Sequence, residues 1–236
     1  MAEEKIRFRN RLGETLVGII HTPKKPTQTA VIVCHGLRGT KDILWIAELC
    51  NALARKGYCA LRFDFSGNGE SEGSFTHSIY SKEVEDLKTA IDYLENQGYV
   101  RFITIGHSMG GGVVLLEAAK DIRVAAVVEI AAPAHPAKNE AFVRGVLTRL
   151  GIKEQDTFVR SLQATDIVSL CAKIKVRVLV IHGDADNRVP IADSKELCAS
   201  INHCTLTILP SADHYFDTAS ERNNLITTIM EWIPAP

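Results

Sequence analysis

The sequence predicts an α/β protein with a mostly parallel, doubly wound sheet. Short apolar runs, such as residues 30–34 and 124–128, lack the polar alternation of a half-exposed strand, which is typical of strands covered on both faces. Between such runs lie segments with apolar residues at helical spacing, such as residues 81–97. Strands that alternate with helices in this way are expected to pair in parallel through right-handed crossovers.

The predicted elements follow one another along most of the chain. Strands are expected at residues 6–9, 15–20, 30–34, 59–63, 102–105, 124–130, 176–181 and 205–209. Helices are expected at residues 42–55, 81–97, 111–120, 191–200 and 220–232. The first two strands are predicted to form a hairpin. Asp42 is the predicted N-cap of the first helix, and Gly57 is its predicted stop.

The alternation breaks between Ala132 and about Lys173, where no strand is predicted. Helices are expected at residues 139–150 and 154–163, with Gly151 between them. A single crossover helix does not need a connection of about forty residues. We therefore predict a small helical cap insertion at about residues 133–170, within a single domain that spans residues 1–236.

The composition excludes several classes of function. Of the 236 residues, 46% are hydrophobic and 23% are charged, as in globular proteins with a sizeable core. The formal net charge of −1 gives no electrostatic reason to expect nucleic acid or an anionic membrane as a partner. No run of about 18 apolar residues predicts a membrane span. The start Met-Ala-Glu-Glu-Lys is unlike a signal peptide.

Six cysteines are scattered along the chain without the spacing of a metal or redox site. They are Cys34, Cys50, Cys59, Cys171, Cys198 and Cys204. We expect them to be unpaired, mostly buried thiols in a reducing compartment. Together with the start of the chain, this predicts a cytoplasmic location and no metal site.

Residues 106–110 have the pattern Gly-x-Ser-x-Gly, with Ser108 at its centre. A buried strand is predicted before this segment, and a helix rich in small residues is predicted after it. In this strand–turn–helix context the pattern predicts a nucleophile elbow, a sharp turn that lifts the serine hydroxyl clear of the sheet. Ser108 is therefore the predicted nucleophile.

A serine nucleophile needs a base that takes its proton and a carboxylate that orients the base. Catalytic groups of open α/β sheets collect at the carboxyl ends of the strands, which selects His214 as the base. The same rule leaves Asp184 and Asp186 as alternative acids. Three more histidines lie in tight turns, where structural hydrogen bonds are expected: His35, His107 and His182. Histidines without a partner motif are expected at the surface: His21, His77 and His135.

These motifs resemble those of the α/β-hydrolase superfamily over essentially the whole chain. The matching stretches are residues 35–39, 64–71, 106–111, 182–190 and 213–214. The chain is most similar to small capped esterases of the cinnamoyl/feruloyl-esterase-like and monoacylglycerol-lipase-like kinds. The family pattern His-Gly-x-x-Asp-x-x-Val-Pro has its catalytic acid three residues after the glycine. The resemblance therefore implies Asp186 as the acid, and Asp184 is expected to polarise the site or to cap the turn.

The predicted oxyanion hole consists of two backbone N–H groups. Met109, the residue after the nucleophile, is expected to supply one of them. The family pattern implies Leu37, directly after His35 and Gly36, as the other. The implied reaction is acyl transfer through an acyl-enzyme on Ser108, which requires neither a metal nor an organic cofactor. Asp64 and the loop after it are expected to be structural.

The predicted cap is expected to line the substrate pocket. The predicted substrate-binding residues are Phe142, Val146 and Leu147, and further apolar candidates are Val143, Leu150, Phe158 and Leu162. A short cap without a strongly apolar face favours small or medium esters over long-chain lipids. The resemblance adds aromatic, feruloyl-type esters. The expected partner is therefore a small-molecule ester.

Two alternatives stay open at this point. The same triad also cleaves amides, peptides or thioesters, and a fold alone does not exclude a non-catalytic binding protein. A peptidase pocket would need acidic residues for a substrate amine. The candidates for that role, which are otherwise expected as surface charges, are Glu129, Glu140 and Glu154.

Overall fold

The sheet has eight strands in the described part of the chain, residues 2–153 and 155–236 of a computed structural model. The strands are β1 (Ala2–Arg9), β2 (Thr15–Thr22), β3 (Thr29–Cys34), β4 (Cys59–Phe63), β5 (Arg101–His107), β6 (Val124–Ile130), β7 (Arg177–Gly183) and β8 (Cys204–Leu209). Their order across the sheet is β1-β2-β4-β3-β5-β6-β7-β8. Strand β2 pairs antiparallel with β1 and β4, and the other pairings are parallel. The predicted hairpin and mostly parallel sheet are confirmed.

Helices pack on both faces of the sheet. They are α1 (Leu44–Lys56), α2 (Tyr80–Asn96), α3 (Met109–Ala118), α4 (Glu140–Arg149), α5 (Asp156–Ala164), α6 (Val168–Cys171), α7 (Ile191–Ala199) and α8 (Ala219–Trp232). Val31 and Val33 of β3 share a core with apolar residues of α1 and α8. Ile32, between them, belongs to the core formed with α2 and α3. Alternate residues of one strand thus enter two cores, which explains its continuously apolar sequence.

Helix α1 begins later than predicted. Its first residue is Leu44, and the N-cap residue Ile43 makes no capping hydrogen bond through its side chain. Asp42 instead accepts hydrogen bonds from Lys41 Nζ at 2.9 Å and Arg62 Nη1 at 2.7 Å. The prediction of Asp42 as the N-cap is wrong because two cations occupy its carboxylate. Gly57 ends the helix as predicted, with a φ of 112° that favours glycine.

Residues 133–170, which we call the cap segment, follow β6 and precede β7. A short 3₁₀ turn at Pro136–Asn139 leads into α4, and α5 follows. Gly151 has a φ of 72° in the connection between the two helices. The predicted start of the second helix, Glu154, lies outside the described residues. The interpretation of this segment as a cap on one domain stays a prediction.

Two expectations about side chains are wrong. His21 is not at the surface: its Nε2 accepts a hydrogen bond from Arg62 Nε at 3.0 Å, and its ring is buried. Cys198 and Cys204 are not free thiols but form a disulfide, with their Cα atoms 5.4 Å apart, that joins α7 to β8. The short turn between α7 and β8 brings the two residues, six apart in sequence, side by side. The disulfide removes the support that unpaired thiols gave to a cytoplasmic location.

Two further features are absent from the described residues, 2–153 and 155–236. Within them, no helix has both the length and the apolar composition needed to cross a membrane. No cluster of three or more His, Cys, Asp or Glu side chains in the same residues has an arrangement that could hold a metal ion.

Candidate active site

Ser108, His214 and Asp186 come together at the carboxyl edge of the sheet. They follow β5, β8 and β7, three strands that are far apart in sequence. His214 Nε2 lies 3.1 Å from Ser108 Oγ, and His214 Nδ1 lies 2.7 Å from Asp186 Oδ2. In this arrangement Nδ1–H donates to the carboxylate, which leaves Nε2 free to accept the serine proton.

The Asp186 carboxylate is held by several hydrogen bonds. Oδ1 accepts from the backbone N–H groups of Arg188 at 2.7 Å and Val189 at 2.9 Å. Oδ2 also lies 3.3 Å from His182 Nε2. Burial by itself would raise the pKa of Asp186, but the hydrogen bonds from His182, His214 and Val189 outweigh it and hold the pKa below its usual value. Asp186 is therefore ionised at neutral pH.

The turn around Ser108 has the geometry of a nucleophile elbow. Ser108 has a φ of 53° and a ψ of −120°, a backbone conformation that non-glycine residues rarely adopt. Its N–H donates to Ile130 O at 2.8 Å, which ties the turn to the neighbouring strand. A methyl group on Gly106 would lie 2.1 Å from Gly110 O, so the sharp reversal of the chain requires glycine there.

The loop after β3 passes close to Ser108. A methyl group on Gly36 would lie 2.9 Å from Ser108 Cβ, which shows how near the two segments are. Within the described residues, the N–H groups of Leu37 and Met109 have no hydrogen-bond acceptor. Both residues line the same cavity as Ser108. Two free donors beside a serine hydroxyl are what an oxyanion hole requires.

Three histidines make the structural hydrogen bonds expected of them. His35 Nδ1 donates to Gly36 O at 2.8 Å, and its Nε2 accepts from the Phe65 N–H at 3.1 Å. His182 Nδ1 lies 2.7 Å from Ser194 Oγ. His107 Nε2 lies 2.8 Å from the backbone oxygen of His214. Burial and the neighbouring His214 lower the pKa of His107 to about 3, so the ring is neutral and its Nε2–H donates.

A cavity of about 500 Å³ opens beside the three side chains. Its walls come from the loop after β3, from α2 and from the cap segment. Phe142 and Val146 line it, as do Val143, Phe158 and Leu162. Leu147, also predicted to bind substrate, does not line it. Phe142 and Val146, four residues apart on α4, line the cavity, whereas Leu147 is buried in the core.

Comparison with known proteins identifies the family. Residues 25–161, more than half of the chain, match the hydrolase family described as serine aminopeptidase, S33. The chain belongs to that family. Its fold is the α/β-hydrolase fold: it superposes on the structure of ferulic acid bound to Est1E from Butyrivibrio proteoclasticus with a TM-score of 0.82. The identity there is 22%, over 96% of this chain and 97% of Est1E.

Relatives in sequence cover the chain to different extents. A protein of Escherichia coli from the traX-finO intergenic region, described as an uncharacterized 31.7 kDa protein, is 34% identical over 101 residues. The match spans 42% of this chain and 35% of that protein, so the chain spans about a third of that relative's length. The human mitochondrial palmitoyl-protein thioesterase ABHD10 is 25% identical over 218 residues, 84% of this chain and 69% of its own length.

Asp184, the alternative acid, has a different position in this α/β hydrolase. It is exposed, and its Oδ1 accepts a hydrogen bond from the Ser211 N–H at 2.6 Å. It thereby caps the turn that follows β8, one of the two roles expected for it. Asp213 acts in a similar way on the next turn, since its Oδ1 accepts from the N–H groups of Tyr215 and Phe216, both at 2.8 Å.

A buried ion pair supports the loop that carries Leu37. Asp64 accepts from the Lys41 N–H at 2.7 Å and from Lys41 Nζ at 3.0 Å, and both side chains are buried. Lys41 Nζ also donates to Glu70 at 2.7 Å. Burial alone would lower the pKa of Lys41, but its carboxylate partners raise it above its usual value. Sequence reasoning anticipated a structural role for Asp64 and missed Lys41, which has no motif around it.

Glu129 is expected from the sequence to be a surface charge, and this expectation is wrong. It lies at the end of β6, completely buried, and it accepts a hydrogen bond from the Ala132 N–H. It does not line the cavity and does not offer a site for a substrate amine. Because both faces of β6 are covered, a side chain of this strand is buried whichever face it points to.

Proposed function

We propose that this protein is a serine esterase that cleaves carboxylic esters of small to medium or aromatic acids through an acyl-enzyme on Ser108. The observation that carries the proposal is the row of contacts from Asp186 through His214 to Ser108, beside two free backbone donors. Membership of a hydrolase family supports the general chemistry.

The proposed mechanism assigns one task to each group. His214 Nε2 takes the proton of Ser108 as Oγ attacks the ester carbonyl. The N–H groups of Leu37 and Met109 stabilise the oxyanion, and the loss of one such donor typically costs about 2.7–4 kcal/mol. His214 then protonates the leaving alcohol, and water attacks the acyl-enzyme by the reverse sequence. Asp186 holds the tautomer of His214 throughout.

The cavity supports the proposed range of substrates. Its volume of about 500 Å³ is within the range that holds small organic ligands. Its apolar walls suit an aliphatic or aromatic acyl group, and ferulic acid is the ligand of the similarly folded Est1E. Thioester cleavage is the second candidate, because the relative ABHD10, similar over 84% of this chain, is a palmitoyl-protein thioesterase.

Peptide cleavage has less support. An aminopeptidase must hold the ammonium group of its substrate close to the scissile bond, which requires carboxylates in the cavity. Among the described residues that line the cavity, none is aspartate or glutamate. The aminopeptidase activity in the family's description is therefore not proposed for this chain.

The proposal is tested with a panel of substrates and the variant Ser108→Ala. The panel contains 4-nitrophenyl esters from acetate to palmitate, methyl ferulate, a palmitoyl thioester and an aminoacyl anilide. We expect the intact protein to cleave short and aromatic esters fastest and Ser108→Ala to lose this activity. Cleavage of the thioester alone would favour the second candidate. Cleavage of the anilide alone, or of no substrate by folded protein, would refute the esterase.

A further inference from the structure

Three arginines line the cavity beside Ser108: Arg38, Arg149 and Arg188. They come from three different elements: the loop after β3, the last turn of α4 and the loop after β7. Across residues 2–153 and 155–236, none of the three side chains forms an ion pair with a carboxylate. The formal net charge of the chain is −1, so this convergence of positive charge is a local feature and not a consequence of a basic protein.

The cavity is apolar inside and cationic at its opening. Its inner wall includes the buried side chains of Tyr80, Val143 and Phe158. The three arginines are exposed, which places them at the outer end of the same cavity. A ligand that fits this cavity would therefore bury an apolar part inside it and hold its outer part beside the positive charges.

Arg188 is the one of the three arginines whose guanidinium lies over aromatic rings of the cavity. Its Cζ lies 5.4 Å from the ring centroid of Phe142 and 5.9 Å from that of Tyr215. Both rings line the cavity, so they hold the guanidinium across its opening by cation–π contact. Its backbone N–H is bound to Asp186 Oδ1 at 2.7 Å, which ties the residue to the catalytic loop. Within the described part of the chain, the N–H donors of the guanidinium have no hydrogen-bond acceptor and are available to a ligand.

We propose that Arg38, Arg149 and Arg188 form an anion-binding rim, and that the preferred substrates are esters that carry a carboxylate. The proposal rests on the proposed esterase function, whose substrate class it specifies. The apolar part of the ester occupies the inner cavity, and its carboxylate binds at the rim. Arginine suits this role because its planar group binds a carboxylate through two parallel hydrogen bonds. The carboxylate takes no part in the reaction, in which water and ester give acid and alcohol.

The test compares matched pairs of esters that differ by one charge. For the acyl side, the pair is mono-4-nitrophenyl glutarate and its methyl ester, with nitrophenol release as the readout. For the alcohol side, the pair is 3-(butyryloxy)benzoate and its methyl ester, with butyrate release as the readout. The two pairs distinguish which side of the ester carries the anion.

We expect the anionic member of at least one pair to have a kcat/KM about fivefold higher at low salt, a preference that declines at high salt. Arg149→Gln and Arg188→Gln should each reduce this preference severalfold, measured as the ratio of kcat/KM for the anionic ester to that for its neutral partner. The matched control is Arg160→Gln, which removes the same charge from an exposed position on α5 that does not line the cavity. Equal or better turnover of both neutral esters, or a preference that survives in both rim variants, would overturn the proposal.

A binding measurement tests the anion-binding rim independently of the proposed esterase activity. The 3-(butyryloxy)benzoate pair is titrated into Ser108→Ala by calorimetry. Tighter binding of the anion, lost in the double variant Ser108→Ala/Arg188→Gln, supports the rim even if the intact protein hydrolyses nothing. Equal binding of both members refutes the rim whatever the hydrolysis rates are.

Discussion

Asp184 and Asp186 have the same side chain and follow the same strand, but the fold gives them different surroundings. The strand ends at Gly183, and the chain then turns so that Asp186 points back under His214. Asp184 points outward and caps a neighbouring turn. The burial and hydrogen bonds of Asp186 keep its charge directed at one imidazole nitrogen, whereas the charge of Asp184 is solvated.

The first prediction uses this pair. In Asp186→Asn the amide favours the wrong tautomer of His214, with the proton on Nε2, so the ring no longer accepts the proton of Ser108. We expect kcat for the best ester to fall by about 10³–10⁴-fold with little change in folding. The matched control is Asp184→Asn, which keeps an acceptor for the Ser211 N–H and should retain activity within about twofold. If Asp184→Asn loses as much activity as Asp186→Asn, the assignment of the acid is wrong.

At the scale of elements, the elbow depends on the close approach of α3 to the loop after β3. A methyl group on Gly110 would lie 2.3 Å from His35 O and 3.0 Å from Cys34 O, both backbone atoms that do not move easily. This contact sets the distance between the two predicted oxyanion donors, Leu37 and Met109. The second glycine of Gly-x-Ser-x-Gly thus has a packing role that the motif itself does not reveal.

The second prediction follows from that contact. Gly110→Ala should force the loop away from the elbow and lower kcat/KM for esters by about 10²-fold or more, the scale associated with one oxyanion donor. Gly145→Ala in α4 is the control, because nothing lies within 4 Å of the added methyl group. It should keep its activity and gain about 0.5–1 kcal/mol of stability. Activity assays and urea unfolding measure both effects. Full activity of Gly110→Ala would contradict the proposed oxyanion geometry.

The third prediction concerns the ion pair under the same loop. Asp64→Asn leaves the buried Lys41 ammonium with one fewer charged partner, and we expect a loss of about 3 kcal/mol in the free energy of unfolding. Activity should fall as well because the loop before Lys41 carries Leu37. Glu70→Gln removes an exposed carboxylate that contacts the same ammonium and whose other partner is the exposed Lys5, so it should cost clearly less. Similar costs for both variants in urea unfolding would count against a special role for the buried pair.

For the molecule as a whole, buried carboxyl groups make stability depend on pH. Burial, opposed by the Ala132 N–H and aided by Asp193, raises the pKa of Glu129 from 4.5 to about 8. Between these values the folded protein holds a proton that the unfolded chain has released. The contribution of Glu129 to the free energy of unfolding therefore falls as pH rises from about 4.5 to about 8.

The fourth prediction isolates this contribution. Glu129→Gln imitates the protonated carboxyl group at every pH, so its stability relative to the natural protein should grow with pH by up to about 1.4 kcal/mol per unit. Urea unfolding at pH 5, 6.5 and 8 measures the difference, and other buried carboxyls cancel because both proteins share them. Glu140→Gln is the control, since ion pairing lowers the pKa of Glu140 and its contribution is constant over this range. A Glu129→Gln difference that does not change with pH would refute the prediction.

The sequence predicts the sheet well because its strands carry their own local signals. Residues 30–34 are apolar throughout, and the structure has β3 at Thr29–Cys34 between two helical layers. The strand–turn–helix context of Ser108 is local in the same sense, since a few consecutive residues contain the signal. Asp42 shows the limit of such signals: it has the chemistry of an N-cap, but Arg62, twenty residues away, binds its carboxylate instead.

Local patterns in the sequence predict the order of the elements, the position of the serine turn and the set of polar residues at strand ends. These depend on residues that are neighbours in the chain. The packing of distant segments, by contrast, buries Leu147 in the core and brings three arginines from separate elements to one cavity. Burial and local charge depend on which distant segments pack together, and no pattern of neighbouring residues specifies those contacts.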